Sequence, residues 1–168
     1  MLNILLWWFL AALTGITGGL MLTAGHFYGQ LSILQCIAFI PLLFLLSKRP
    51  KIILAVIAGI FTGLAAALPQ VIALHLPAWM AAVLTTEITL FLVVLCLFAC
   101  WTLKKPTLLG CFAFGACWFL VDWLNYTLVP IWGMSQSFAR CWTAYPQCIA
   151  FISLTGISGI LFVIGTLQ

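Results

Sequence analysis

The 168-residue chain is too apolar for an ordinary soluble domain: 66% of its residues are hydrophobic, 5% are charged, and its mean hydropathy is +1.31. Soluble domains carry roughly 25% charged residues, so this composition indicates an integral membrane protein. The net charge of +4 comes from six basic residues in only three stretches, which points to membrane topology and not to a nucleic-acid partner.

Six apolar stretches follow one another along the chain. They cover residues 2–24, 31–47, 52–74, 78–103, 107–124 and 146–168. Each is long enough for a helix that crosses a hydrocarbon core of about 30 Å. The sequence therefore predicts an all-α integral membrane bundle of about six transmembrane helices in a single domain, 1–168. Residues 125–145 form a polar and aromatic loop.

Glycines and prolines interrupt the first three stretches. His26 lies in a predicted turn, where an interfacial polar residue is favoured over a metal ligand because no second ligand is near it in sequence. Pro41 predicts a kink or a helix break, and Pro69 predicts an early end of the third helix. Gly59 and Gly63 are four residues apart, a spacing that permits close packing against another helix.

The basic residues predict the orientation of the bundle. Five of them follow the second and fourth stretches, namely Lys48, Arg49, Lys51, Lys104 and Lys105. These two turns face the same side, which is the cytoplasm by the positive-inside rule. The amino terminus is then cytoplasmic, and the loop 125–145, with Arg140, lies on the periplasmic or extracytoplasmic side. That sidedness is expected of a protein working at the outer leaflet.

The chain has only two acids, Glu87 and Asp122, and both lie in apolar stretches. An ionisable residue inside the bilayer is costly and is a functional-site hypothesis by default. Glu87 is either a structural acid beside neighbouring threonines or a working one. Asp122 either holds the base of the long loop, by accepting hydrogen bonds from loop backbone N–H groups, or belongs to a binding site.

The long loop and its base carry the candidate lipid-binding residues. They are Asp122, Trp123, Trp132, Gln136, Arg140 and Trp142. A guanidinium matches the geometry of a phosphate head group, and Trp132 or Trp142 could line an acyl path. The alternative is that these side chains only seat the loop at the membrane surface, where aromatic residues gather.

The cysteines do not predict a metal site, because no pair has the CxxC spacing of structural zinc sites. Five of the seven lie in apolar stretches, where cysteine acts as a small hydrophobic residue. Cys141 and Cys148 border the polar loop. A disulfide between them is an open alternative if the loop faces an oxidising compartment.

Four motifs resemble one family. Residues 39–43 read Phe-Ile-Pro-Leu-Leu before a basic turn, residues 121–124 read Val-Asp-Trp-Leu, and residues 130–136 read Pro-Ile-Trp-Gly-Met-Ser-Gln. Pro146 precedes the run 150–162, Ala-Phe-Ile-Ser-Leu-Thr-Gly-Ile-Ser-Gly-Ile-Leu-Phe. Their order is similar to the amino-terminal membrane domain of apolipoprotein N-acyltransferase. The chain differs from the family in having Asp122 for Glu, Asn125 for Arg and Met134 for Tyr.

The resemblance implies a protein of the bacterial inner membrane that takes part in lipoprotein maturation. The family transfers an acyl chain from a phospholipid to the amino-terminal cysteine of a diacylated lipoprotein, so phospholipid is the implied partner and the lipoprotein a second one. No cofactor is expected. The family's Glu-Lys-Cys triad belongs to a nitrilase-like domain that residues 1–168 do not match, so no catalytic residue is assigned. We expect a truncated or free-standing copy that binds or admits lipid and is inactive without a separate catalytic domain.

Two other classes of function stay open at this stage. A small transporter or channel subunit would use Glu87, His75 and Asp122 as a polar pathway. The absence of a detectable inverted repeat argues against it. A structural membrane protein without a ligand is the third possibility.

Overall fold

The computed structural model describes residues 2–105, 107–129 and 137–168. Within these ranges the chain forms helices and no strand. The α-helices are α1 (Leu2–Phe27), α2 (Ile40–Lys48), α3 (Ile52–Leu74), α4 (Ala78–Thr102), α5 (Thr107–Leu128), α6 (Pro146–Thr155) and α7 (Ser158–Leu167). The first 3-10 helix covers Gly29–Cys36 and the second covers Phe138–Ala144.

Five segments of the described chain are long and apolar enough to cross a membrane, and the bent pair of α6 and α7 adds a sixth if it counts as one span. The prediction of an all-α helical membrane bundle is therefore confirmed, and the chain is a multi-pass membrane protein. The boundaries differ in places from the predicted ones. Helix α1 continues to Phe27, so His26 lies in a helix and not in a turn, and α5 continues to Leu128.

Helices α3 and α4 pack closely along the Gly59 and Gly63 face, as their spacing predicts. A methyl group added at Gly59 would lie 2.6 Å from the Cα atom of Val93, and one added at Gly63 would collide with the Cα atom of Thr89. Backbones that approach this closely leave no room for a side chain. The two glycines thus set the distance between α3 and α4.

Helix α1 contacts α3 in the same way, at the residues that precede Gly59 and Gly63 in the chain. A methyl group at Gly15 would meet the carbonyl oxygen of Ala58, and one at Gly19 would meet that of Thr62. These glycines therefore do not break the first helix. They let the backbones of α1 and α3 come together, with α3 between α1 and α4.

The two prolines have different outcomes: the helix break predicted at Pro41 is confirmed, whereas the one predicted at Pro69 is not present. Pro41 occupies the first turn of α2, where its missing N–H costs nothing, so the second stretch is a 3-10 helix followed by a separate α-helix. Pro69 lies inside α3, which continues to Leu74. The prediction that Pro69 ends the third helix early is wrong, since membrane helices tolerate proline where neighbouring groups adjust.

The last apolar stretch is not one helix. The axes of α6 and α7 differ by 106°, and the chain turns at Gly156, whose φ of +76° is a conformation that favours glycine. Helix α7 runs antiparallel to α5 with glycines in contact, because a methyl group at Gly165 would lie 2.8 Å from the Cα atom of Gly115. Helix α6 has no buried residue. The prediction of a single helix over 146–168 is wrong.

The two basic turns meet at one end of the bundle, which we call the basic end. The Cys100 thiol lies 3.9 Å from the carbonyl oxygen of Lys51, joining the last turn of α4 to the start of α3. The Arg49 guanidinium lies 4.9 Å from the ring centre of Trp7, near the start of α1. The opposite end, which carries the second 3-10 helix, is called the loop end. Which compartment each end faces stays a prediction.

Candidate functional site

Asp122 joins three segments of the loop end. Its side chain is buried, and its Oδ2 atom accepts hydrogen bonds from Ser137 Oγ at 2.9 Å and Ser158 Oγ at 2.6 Å. Ser137 Oγ in turn accepts a hydrogen bond from Ala139 N at 3.2 Å, which caps the second 3-10 helix. Asp122 therefore holds the base of the loop as expected, but the donors are serine hydroxyls and not backbone N–H groups.

A small cavity of about 20 Å³ separates α4 from α5 beside this cluster, and Asp122 and Asn125 are its polar lining residues. Asn125 Oδ1 is buried and accepts no hydrogen bond from the described part of the chain. A cavity of this size has room for about one water molecule. It is too small to be a pathway for ions through the bundle.

The cavity beside Asp122 does not join the three residues of the transporter hypothesis. Glu87 is buried in α4 but does not line the cavity beside Asp122. His75 is exposed at the end of α3, where its Nδ1 atom lies 3.2 Å from the carbonyl oxygen of Ala73. His75 does not line the cavity beside Asp122 either.

Gln35 lies in the first 3-10 helix and holds the second 3-10 helix in place. No sequence motif predicted this role. The Gln35 side chain is completely buried. The indole N–H of Trp142 donates to Gln35 Oε1 at 2.8 Å, and Gln35 Nε2 donates to the carbonyl oxygen of Phe138 at 3.0 Å. The indole N–H of Trp142 therefore already has a hydrogen-bond acceptor within the protein. A glutamine within an apolar stretch is the signal that could have revealed this contact.

A third contact ties the loop end together. The Tyr145 hydroxyl donates to the carbonyl oxygen of Gly29 at 2.9 Å. This bond connects the residue after the second 3-10 helix to the start of the first. Together with Asp122 and Gln35, it positions the helix that carries Arg140.

Arg140 is exposed and lies at a groove of about 690 Å³ at the loop end. The groove lies between the end of α1, the end of α3 and the second 3-10 helix, and its polar lining includes Arg140, His26 and Gln70. His26 Nδ1 is buried and has no hydrogen-bond partner among the residues that the structure describes. Neither of the chain's two acids lines the groove, so its charge is positive and it suits an anionic group.

The groove adjoins an apolar cleft of about 490 Å³ between α1 and α3. Phe27 lines both spaces, and the cleft continues past Ala24 to Leu20 along α1. Pro69 and Ala73 form its wall on α3. A ligand with a charged head and an apolar tail could therefore contact the groove and the cleft at once.

The predicted site residues divide into three groups. Arg140 lines the groove, whereas Asp122 and Trp142 hold the helix that presents it. Trp123 is exposed on α5 and lines neither the groove nor the cleft. Trp132 and Gln136 lie outside the described residues, so their roles stay predictions.

Cys141 and Cys148 are not joined in the structure, and both thiols are free. Cys141 is buried, and its thiol donates to the carbonyl oxygen of Phe138 at 3.2 Å. Burial raises the pKa of the Cys141 thiol from its usual 9.0 to about 11. The thiolate is the form that reacts, so this thiol is a poor nucleophile at neutral pH.

We therefore expect Cys141 in the folded protein to react with iodoacetamide at pH 8 about a hundredfold more slowly than an ordinary thiol, in proportion to its thiolate fraction. Peptide mass spectrometry after timed labelling measures the rate. The same protein unfolded in detergent is the control and should label at the ordinary rate. Equal rates in the two states would contradict the buried environment of Cys141.

The groove thus combines one guanidinium, one imidazole and one carboxamide with an adjoining apolar cleft. This combination can hold an anionic head group while an apolar tail leaves along the helices. The described residues that line it include no carboxylate that would repel a phosphate. Comparisons with known protein families, curated proteins and solved structures gave no match to this chain.

Proposed function

We propose that this bundle binds a phospholipid at the loop end, with the phosphate at Arg140 and one acyl chain in the cleft between α1 and α3. The observation that carries the proposal is the position of Arg140 at a groove whose described lining has no carboxylate and which shares Phe27 with an apolar cleft. Guanidinium groups bind phosphate oxygens through two parallel hydrogen bonds. His26 and Gln70 supply further polar atoms beside it.

The surroundings favour a lipid over a soluble anion. Phe27, Leu74 and Leu76 form apolar walls beside Arg140 in the same groove. Because the protein spans a membrane, the cleft between α1 and α3 is open to lipid chains along its length. A soluble anion would contact only the polar groups and would not cover this apolar surface.

In this proposal the chain acts as a lipid-binding membrane domain similar to that of apolipoprotein N-acyltransferase, in bacterial lipoprotein maturation at the inner membrane. The phospholipid is the acyl donor, and the diacylated lipoprotein is the second lipid-bearing partner. Acyl transfer needs an activated nucleophile. The buried Cys141 thiol, with its raised pKa, does not suit that role. A separate catalytic domain supplies the nucleophile, and this chain supplies the lipid site.

Replacement of Arg140 tests the proposal. We expect Arg140→Gln to weaken retention of phosphatidylethanolamine about tenfold, because one charge-assisted contact to phosphate is lost. Native mass spectrometry of the protein released from detergent micelles, with titrated lipid, measures the retained fraction. Arg140→Lys should lose less, since it keeps the charge but not the paired geometry.

Arg49→Gln is the matched control, because Arg49 is the chain's other arginine and lies at the basic end against Trp7. It should retain phosphatidylethanolamine as the unchanged protein does. If Arg140→Gln and Arg49→Gln bind the lipid equally well, Arg140 does not hold the head group and the proposed function is wrong.

A further inference from the structure

The basic end gathers most of the chain's positive charge without any compensating carboxylate. Lys48, Lys51, Lys104 and Lys105 are exposed there, beside the half-buried Arg49. The two acids lie in the other half of the bundle: Glu87 is in the first half of α4, which starts at the loop end, and Asp122 lies beside the second 3-10 helix. The basic end is therefore an unneutralised cationic surface.

Aromatic rings accompany these cations. The Lys48 ammonium lies 5.3 Å from the ring centre of Phe44, and the Lys105 ammonium lies 4.8 Å from that of Trp101. Phe44 is 65% exposed and Trp101 is 50% exposed. Cations paired with exposed aromatic rings at helix ends are typical of the membrane–water interface, where the rings lie at head-group level.

A cleft of about 210 Å³ opens beside these lysines, between α2, the turn from α4 to α5, and α7. Lys105 and Thr107 form its polar rim, and Leu43, Leu103 and Phe114 form apolar walls. The cleft is thus a second place where a charged rim borders an apolar interior. It differs from the groove at the loop end in having a lysine at its rim, Lys105, with Lys104 next to it in the chain.

We propose that the basic end binds a phospholipid whose head group carries a net negative charge. The phosphate contacts Lys104 and Lys105, and one acyl chain enters the cleft between Leu43 and Phe114. Lysine clusters beside membrane helices attract anionic lipids through their surface charge. The apolar cleft and the exposed rings favour a lipid over a soluble anion, which would use only the charges. This site is separate from the one in the proposed function and does not depend on it.

The test uses the full chain in nanodiscs made with equal amounts of phosphatidylcholine and phosphatidylglycerol. After mild detergent extraction, mass spectrometry measures the share of phosphatidylglycerol among the lipids that stay with the protein. The unchanged protein should be enriched in phosphatidylglycerol. The double variant Lys104→Gln, Lys105→Gln should lose most of this enrichment, by about tenfold, since both lysines near the head group are gone.

Two further variants separate charge from shape. Lys104→Arg with Lys105→Arg keeps the charge and should keep the enrichment. Cys111→Phe fills the cleft, which Cys111 lines, without changing the charge, and should lower the enrichment if an acyl chain enters there. An unaltered helical circular-dichroism spectrum and an unaltered thermal unfolding midpoint in detergent show that each variant is folded.

Three results would overturn the proposal. The first is unchanged enrichment in the Lys104→Gln, Lys105→Gln variant. The second is unchanged enrichment in Cys111→Phe, which would mean that the charges attract lipids without a defined site. The third is loss of bound phosphatidylglycerol from the unchanged protein when inorganic phosphate is added, which would make the site one for a free anion.

Discussion

Asp122→Ala is expected to lower the free energy of unfolding by about 3 kcal/mol, because two buried hydroxyl donors lose their acceptor at once. Ser137 and Ser158 are each only 2% exposed, so water does not replace the carboxylate freely. The same change should loosen the second 3-10 helix and weaken phospholipid retention at Arg140. Thermal unfolding in detergent, followed by circular dichroism, measures the first effect.

Asp122→Asn is the matched control, since its carbonyl oxygen still accepts a hydrogen bond while the charge is removed. We expect it to lose less than half as much stability as Asp122→Ala. Combining Asp122→Ala with Ser137→Ala or Ser158→Ala should give clearly less than additive losses, because the residues share one network. Additive losses would mean that the hydrogen bonds at Asp122 contribute little to stability.

Gly63→Val is expected to cost about 3 kcal/mol of stability or to prevent assembly of the bundle. The side chain would collide with the Cα atom of Thr89, which is backbone and cannot rotate away. Helices α3 and α4 would have to separate and lose their packing, which drives helix association in membranes. Unfolding by titration with a denaturing detergent measures the loss.

Ala82→Val is the matched control, because it adds the same kind of side chain at an exposed position of α4. Its stability should differ by less than about 0.5 kcal/mol from that of the unchanged protein. If Gly63→Val is as stable as Ala82→Val, then α3 and α4 do not pack as closely as the structure has them.

Several features of the fold follow from the sequence alone because they depend on local properties. Hydropathy over about twenty residues identifies a span wherever it lies in the chain. Hydropathy located the third span at residues 52–74, which are the bounds of α3, and the fifth span at residues 107–124, within α5. The Gly59 and Gly63 spacing likewise indicated close packing, since small residues four apart share one helix face.

The candidate site was only partly accessible from the sequence. Arg140 stands out as the single basic residue of the loop, and a lone charge in an apolar chain is easily recognised. Its neighbours His26 and Gln70 do not stand out, because they come from α1 and α3 and meet only when the ends of those helices pack beside the second 3-10 helix. The spacing of His26, Gln70 and Arg140 along the chain does not predict that they line one groove.

The sequence by itself determined that the chain crosses a membrane and that its basic turns share one end. Both properties depend on the free energy of transferring each residue from water to lipid, which is set by the residue's own side chain and not by distant contacts. Only the tertiary structure decided that the last stretch bends at Gly156, that Asp122 pairs with Ser158 thirty-six residues later, and that Gln35 binds Trp142. These contacts join residues far apart in the chain. Their partners are fixed by how the helices pack, which no local pattern records.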